Sequence, residues 1–322
     1  MTMHAPTFTD VLAAQKRIRP YLPPTPLHSY SGVNDLIGTQ VFIKHENYQP
    51  AGAFKIRGGI NLVSQMSDEE KARGIVTAST GNHGQSIAYA SRLFGVKAYI
   101  VVPRQAPAGK VNAIRGMGAE IIVYGERFDD ARLHCEQLAR EKGYRYVHSG
   151  NEPHLIAGVA THTLEMLEAQ PDIDVVIVPI GGGSGAAGAC IAAHAINPKI
   201  RVIAVQSSKA PAAYESWLHK TVAEAANTTF AEGLSTARGF ELPQQILWEQ
   251  LNDFVLVTDD EIMQGMVWML EHAHTLAEGA GAASLAAAYR LREELQAKQV
   301  GIICSGGNSS LAHLKLALAA VD

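Results

Sequence analysis

The sequence predicts an α/β protein made of two open parallel sheets with helices on both faces. Three observations lead there. Short runs rich in Val and Ile, such as Val175–Ile180 and Val300–Cys304, are apolar almost throughout, as strands covered on both faces must be. Segments of helical period separate these runs, the order that builds parallel sheets. Glycine-rich loops directly follow three of the runs, at the strand ends where such sheets bind ligands.

Taken in order, Asp10 to about Arg19 reads as an opening helix with Asp10 near its cap, followed by the stiff stretch Pro20–Pro26. Val41–Lys44 is a short strand, and Ile56–Ser64 continues as a helix. Further strands are expected at Ile75–Ala78, Lys97–Val102, Glu120–Tyr124, Val175–Ile180, Val202–Val205, Phe254–Val257 and Val300–Cys304. Helices are expected at Gln85–Leu93, Asp129–Glu141, Glu152–Ala169, Ala186–Ala195, Asp259–His272 and Gly281–Leu295. From Gly74 to about Tyr146 the β-α-β-α-β-α-β pattern is self-contained. Residues 74–150 are therefore expected to form a small domain, and residues 1–73 with 151–322 a larger one.

Composition narrows the class. A chain of 322 residues, 47% hydrophobic and 18% charged, supports a large core in a soluble globule. A formal net charge of −4 leaves no footprint for nucleic acid or an anionic membrane. Three cysteines (Cys135, Cys190, Cys304) are an odd number without metal-type spacing, as suits free thiols in a reducing compartment. The N-terminus lacks the pattern of a secretory leader, and no apolar stretch is long enough to span a bilayer. The expectation is a cytoplasmic enzyme acting on a small molecule.

The stretch Gln49–Gly59, Q-P-A-G-A-F-K-I-R-G-G, sets a single lysine, Lys55, among small and apolar residues. Desolvation lowers a lysine's pKa and makes it a nucleophile. The chemistry that most needs such a lysine is a Schiff base with a carbonyl, above all pyridoxal phosphate. An ordinary surface lysine near a turn fits the same residues, so three further loops decide.

Ser79-Thr80-Gly81-Asn82-His83-Gly84 follows a strand and opens a helix, where backbone N–H groups suit a substrate carboxylate. A plain capping turn with Ser79 or Thr80 as cap is the alternative, and His83 alone reads as a packed histidine. Gly181-Gly182-Gly183-Ser184-Gly185 opens the next helix and has the physics of a phosphate cradle. It overlaps G-x-G-x-x-G, but the dinucleotide reading wants an acid at the end of the next strand. That strand ends in Gln206-Ser207-Ser208, so a phosphate ester is the better guest. Ser305-Gly306-Gly307-Asn308 follows the last strand; a hydroxyl there bonds a pyridine nitrogen without charging it, which favours expulsion of a β-leaving group.

In this order and spacing, A-F-K-I-R-G, S-T-G-N-H-G, G-G-G-S-G and S-G-G-N resemble the fold-type II pyridoxal-phosphate enzymes, specifically the threonine/serine dehydratases and the related serine racemases. The resemblance covers nearly the whole chain and implies the tryptophan-synthase-β-like architecture and a homodimer. It implies that Lys55 carries the cofactor, Phe54 packs beside it, and Asn82 bonds its ring hydroxyl. Gly181, Gly182, Gly183, Ser184 and Gly185 would hold the phosphate, and Ser305 would face the pyridine nitrogen. Glu278 stands in the E-x-x-G segment, and Ala231-Glu232-Gly233 resembles the loop opposite. Ser79, Thr80, Gly81, Asn82 and His83 would bind the amino-acid substrate. The activity implied is dehydration and deamination of a β-hydroxy-α-amino acid, with Lys55 taking the α-proton and the phosphate or a water protonating the leaving hydroxyl.

Departures shape the expectation. Racemases of this family carry serine, as the second base, where Thr80 stands, so racemisation is the runner-up. Many members have Ser at Ala53 and Q-G-T at Val159-Ala160-Thr161. Where many bind a cation, this chain has Gln206 and Ala212 with Lys209 between; hard cations want carboxylates, so no metal is expected. Arg238 suits a second substrate carboxylate such as that of 3-hydroxyaspartate, or is a plain solvated loop residue. The chain stops at Asp322, and with no regulatory domain read, feedback by isoleucine is not expected.

Overall fold

The computed structural model describes residues 4–320; the outermost residues, on which the leader and terminus readings also bear, lie outside them. Among the described residues there are ten strands: β1 (Leu27–His28), β2 (Gln40–His45), β3 (Ile75–Ala78), β4 (Ala98–Val102), β5 (Glu120–Val123), β6 (Arg145–Tyr146), β7 (Val175–Pro179), β8 (Arg201–Ser207), β9 (Asp253–Val257) and β10 (Gln299–Cys304). Six form one sheet in the order β1-β2-β10-β7-β8-β9, and four form another in the order β5-β4-β3-β6. Every pairing is parallel except β1 with β2. The continuous apolar runs are the central strands: all of β3 and β7 is buried. The edge strand β5 is only partly covered.

The two strands of two residues, β1 and β6, carry too little pattern to be bounded from sequence. Two helix readings need correction. The first helix is Phe8–Ile18, and its cap is Thr7, whose hydroxyl takes the Asp10 N–H while the Asp10 carboxylate takes the Thr7 N–H. Asp10 is thus the acid of a capping box, three residues in. The helix read to Leu295 spans Gly279–Arg290 and gives way to turns. No helix among the described residues is long and apolar enough to cross a membrane.

Between the sheets, the helix Lys55–Val63 packs on the helices Asn82–Leu93 and Pro153–Ala169. Ile56 and Ile60 share a core with Ile75 and Ile100 of the four-stranded sheet and with Ile87 of the helix Asn82–Leu93. The helix is locked by Arg57, which is fully buried. Its five guanidinium N–H groups donate five hydrogen bonds of 2.7–3.1 Å: two to Glu46, two to Glu165 and one to Thr161. Lys44 on β2 adds a 2.7 Å ion pair to Glu165, and Thr25 donates to Glu46 at 2.6 Å. Burial pushes the Glu46 carboxyl up, but the charge and hydrogen bonds of Arg57 outweigh it and hold the pKa at about 2. The stability this adds is present above the ordinary value of 4.5 and is lost as pH falls through about 2.

Removing one partner of a buried pair strands the other charge. Arg57→Met should therefore cost about 3–5 kcal/mol in urea unfolding. Arg73→Met, which breaks an ion pair with Glu69 whose side chains are 40% and 81% exposed, should cost less than about 1 kcal/mol.

Candidate active site

Residues at or just beyond the ends of β3, β6, β7 and β10 line one cavity of about 1090 Å³. Lys55 enters it as the first residue of its helix. The approach is fixed by β10: the Phe54 N–H donates to the Ser305 carbonyl at 3.0 Å, and Ala53 bridges Gly306. Ser86 holds the Lys55 carbonyl from the other side at 2.6 Å. The Lys55 Nζ donates to Ser184 Oγ at 2.7 Å and to the Ser149 carbonyl at 3.4 Å, and lies 5.1 Å from the centre of the Phe54 ring. Burial lowers its pKa from 10.5 to about 8, with no opposing contribution from a carboxylate.

Facing Lys55, Gly181 to Gly185 run from β7 into the helix Ser184–Ile196. Gly183 caps that helix at φ 92°, a left-handed backbone that disfavours a side chain. A methyl on Gly181 would run into the Gly233 carbonyl. The first-turn N–H groups have no carbonyl four residues back, and the helix dipole makes this end attractive to an anion. Ser184 is buried here with its hydroxyl against Lys55.

The third wall is the loop after β3. Ser79 braces its turn, its hydroxyl accepting the Gly81 and Gly84 N–H groups at 3.2 and 3.0 Å, while the cap of the helix Asn82–Leu93 is Gly81 rather than Ser79 or Thr80. Thr80 is half-buried on the cavity wall, with Gly81 beside it. The Asn82 amide donates to Glu278 at 2.7 Å and accepts from Asn308 at 2.8 Å. The imidazole of His83 is spent on the wall. Thr77 gives its own hydrogen to the Val147 carbonyl at 2.7 Å, so it accepts from His83 Nε2 at 3.0 Å. Burial, with the Lys55 charge, pushes the His83 pKa down to about 3. What His83 offers a ligand is a first-turn N–H.

Lys55, Thr80, Asn82, the glycine loop, Glu278 and Ser305 thus share one cavity. Arg238 lines it too, but its guanidinium is held by Glu224 and Glu241 at 3.3 and 3.1 Å. Gln206 lies away from the cleft, its carbonyl oxygen accepting the Ala213 and Tyr214 N–H groups; Lys209 pairs with Asp259 at 3.4 Å. The sequence reading missed Lys110, which pairs with Glu232, and His148. Lys110 stands in the first turn of the helix Ala108–Gly116 and His148 just beyond β6, and neither belongs to the glycine loops that marked the other residues. Asn308 carried a signal, as the last residue of S-G-G-N, but no role was read from it.

The cavity fits pyridoxal phosphate by its own chemistry. It has a helix start suited to an anion, built on a glycine loop with no room for a side chain at Gly181, an amine of lowered pKa, and a hydroxyl, Ser305, at the end of β10.

Burial also acts on Glu278, raising its pKa from 4.5 to about 7 against the opposing Asn82 hydrogen bond and Lys110 charge. A raised carboxyl pKa stabilises the fold below its ordinary value and loses that contribution as pH rises through the folded value. Cofactor-free protein should therefore lose stability between pH 5 and pH 8, and Glu278→Gln should lose less, as urea midpoints at the two pH values would measure.

Comparison with known proteins places the chain in a family. Residues 18–306 match the family described as pyridoxal-phosphate dependent enzyme. The L-threonine ammonia-lyase of Thermotoga maritima is 37% identical over 94% of this chain and 75% of its own length. The L-threo-3-hydroxyaspartate ammonia-lyase of Saccharomyces cerevisiae is 37% identical over 95% of this chain and 94% of its own. The crystal structure of the serine racemase from Dictyostelium discoideum, 36% identical, superposes with a TM-score of 0.90 over 95% of this chain and 99% of that one. With the same two parallel sheets and similarity along almost its full length, the chain belongs to the fold-type II pyridoxal-phosphate enzymes, within the threonine dehydratase and serine racemase family.

Proposed function

We propose that the protein dehydrates and deaminates a β-hydroxy-α-amino acid by α,β-elimination, releasing a 2-oxo acid and ammonia. The observation that carries this reading is the asymmetry of the cleft. One wall holds a desolvated amine, Lys55, with a pKa near 8. The loop after β3, on the wall of the same cavity, offers the hydroxyl of Thr80, which has no side-chain hydrogen bond among the described residues to activate it. Elimination needs one proton acceptor at Cα; racemisation needs one on each face.

When bound, pyridoxal phosphate supplies the electron sink that makes the Cα proton labile. The glycine loop and Ser184 hold its phosphate, Asn82 its ring hydroxyl, and Ser305 donates a neutral hydrogen bond at its ring nitrogen. Phe54 excludes water beside it. The N–H groups at the start of the helix Asn82–Leu93 orient the substrate carboxylate, and Ser79 keeps that turn in shape. Lys55 then receives the Cα proton at Nζ as general base. Residues 74–150 act as the unit that closes over the substrate, and residues 1–73 with 151–322 as the unit that holds the cofactor.

Because Arg238 is committed to Glu224 and Glu241, a threonine- or serine-like substrate is preferred to one with a second carboxylate. The serine racemase likeness and the retained hydroxyl of Thr80 support racemisation as the second reading.

Threonine, serine, 3-hydroxyaspartate and 3-phenylserine, assayed for 2-oxo acid, should reveal at least one substrate. Lys55→Ala should lose this activity together with the borohydride-fixed attachment of cofactor to protein; cofactor still trapped on the variant would remove Lys55 from the role. Thr80→Ala should lower any racemisation by about 10²-fold or more and spare elimination, whereas equal loss of both argues against a separate second base.

A further inference from the structure

The cleft carries a donor that none of these roles uses. His148 lies two residues beyond β6, and its Nδ1 accepts the backbone N–H groups of both Gly150 and Asn151, at 3.1 and 3.0 Å. A nitrogen accepting two N–H groups carries no hydrogen, so in the neutral ring the hydrogen is on Nε2. Burial lowers the His148 pKa; Glu241 and Glu136 pull it up, while Arg132 and Lys55 push it down. The ring is therefore neutral at neutral pH. Its direction is fixed as well, because it stands edge-on to Phe240 with centroids 4.7 Å apart and planes at 82°. No acceptor among the described residues takes the Nε2 hydrogen, and the ring borders the cavity that Lys55 enters. The next residue in the chain, Ser149, gives its carbonyl to the Lys55 Nζ.

We propose that His148 is a further catalytic residue, a neutral hydrogen-bond donor through Nε2 to the departing β-oxygen of the substrate. The inference rests on the elimination reading above. Two of the anionic groups in the cleft already have helix starts to meet them: the carboxylate at Asn82 and the phosphate at Ser184. The oxygen on Cβ has none, and it lies two bonds from the carbon that presents its proton to Lys55. As the Cβ–O bond breaks, its electron pair stays on oxygen. The proton that Lys55 takes from Cα is returned, directly or through a water, to the departing oxygen, so water is released with the protein's proton count unchanged. Nε2 keeps its hydrogen throughout; a neutral imidazole polarises an oxygen without protonating it. A preorganised donor of this kind is worth about 10²–10³ in rate.

The test separates this donor from the ring's structural duty. In His148→Asn the amide oxygen can accept the Gly150 and Asn151 N–H groups in place of Nδ1, and nothing stands where Nε2 was. Holoenzyme and variant are compared on the β-hydroxy substrate and on β-chloroalanine, whose chloride departs without a hydrogen-bond donor. The expected result is about 10²-fold loss of kcat on the β-hydroxy substrate, near-parental turnover of β-chloroalanine, and a cofactor Kd, read by fluorescence titration of the apo-protein, within about threefold of the parent. His148→Gln, which restores an N–H at similar reach, should recover part of the loss. Equal loss on both substrates, or a collapsed cofactor affinity, would make His148 a structural residue; no loss on either would remove it from the chemistry. A parent that turns over β-chloroalanine but releases no oxo acid from any β-hydroxy amino acid would instead overturn the elimination reading, and this role with it.

Discussion

Arg57 is two residues from Lys55 and has no contact with solvent. Its five hydrogen bonds reach the turn after β2 through Glu46, and the helix Pro153–Ala169 through Glu165 and Thr161. A guanidinium is planar and always charged, so it meets two carboxylates only when both are held in the right plane. Once those elements are in place, the first turn of the helix Lys55–Val63 has one position, and so has the amine. Ion pairs of this depth are poor sources of net stability, because desolvation takes back most of the attraction. Their effect here is positional, tying the lysine's segment to elements distant in sequence.

With the lysine placed, the electrostatics of the cleft follow from what is withheld. No carboxylate neutralises the Lys55 amine, so desolvation alone sets its pKa. Glu278 meets an amide and a distant lysine rather than a close ion pair, so burial raises its pKa. Two titratable groups are thus pushed in opposite directions toward neutrality by the same cavity. In the proposed reading, anions are met without formal charge, by the starts of the helices Asn82–Leu93 and Ser184–Ile196, which leaves the amine of Lys55 free to act as a base.

Much of this was legible in the chain. Strands covered on both faces leave an unbroken apolar run, so β3 was readable to the residue and β7 to within one. The glycine loops were readable because φ above zero and close approach leave few alternatives to glycine. Other features left no local trace. Thr7 and Asp10 were both visible, yet which one caps was decided by a reciprocal bond that only backbone geometry reveals. Arg57 looked like an unremarkable member of A-F-K-I-R-G because its partners lie 11 and 108 positions away in sequence. His148 had no motif, since its donor is defined by a tautomer that two backbone N–H groups impose.

By itself the sequence determined which longer segments are strands, which strand ends carry glycine loops, and which lysine could serve as a base, because these depend on side-chain size, hydrophobicity and backbone freedom within a few residues. The tertiary structure alone decided which groups are charged and which are free. Arg238 and Arg57 are both arginines in glycine-bearing segments; one is held at the surface by Glu224 and Glu241, the other is the buried centre of an ion cluster. His83 is buried and His148 half-buried, both on the cavity wall, and only the contacts of each ring nitrogen tell them apart. Charge state and hydrogen-bond direction are properties of surroundings assembled from distant parts of the chain.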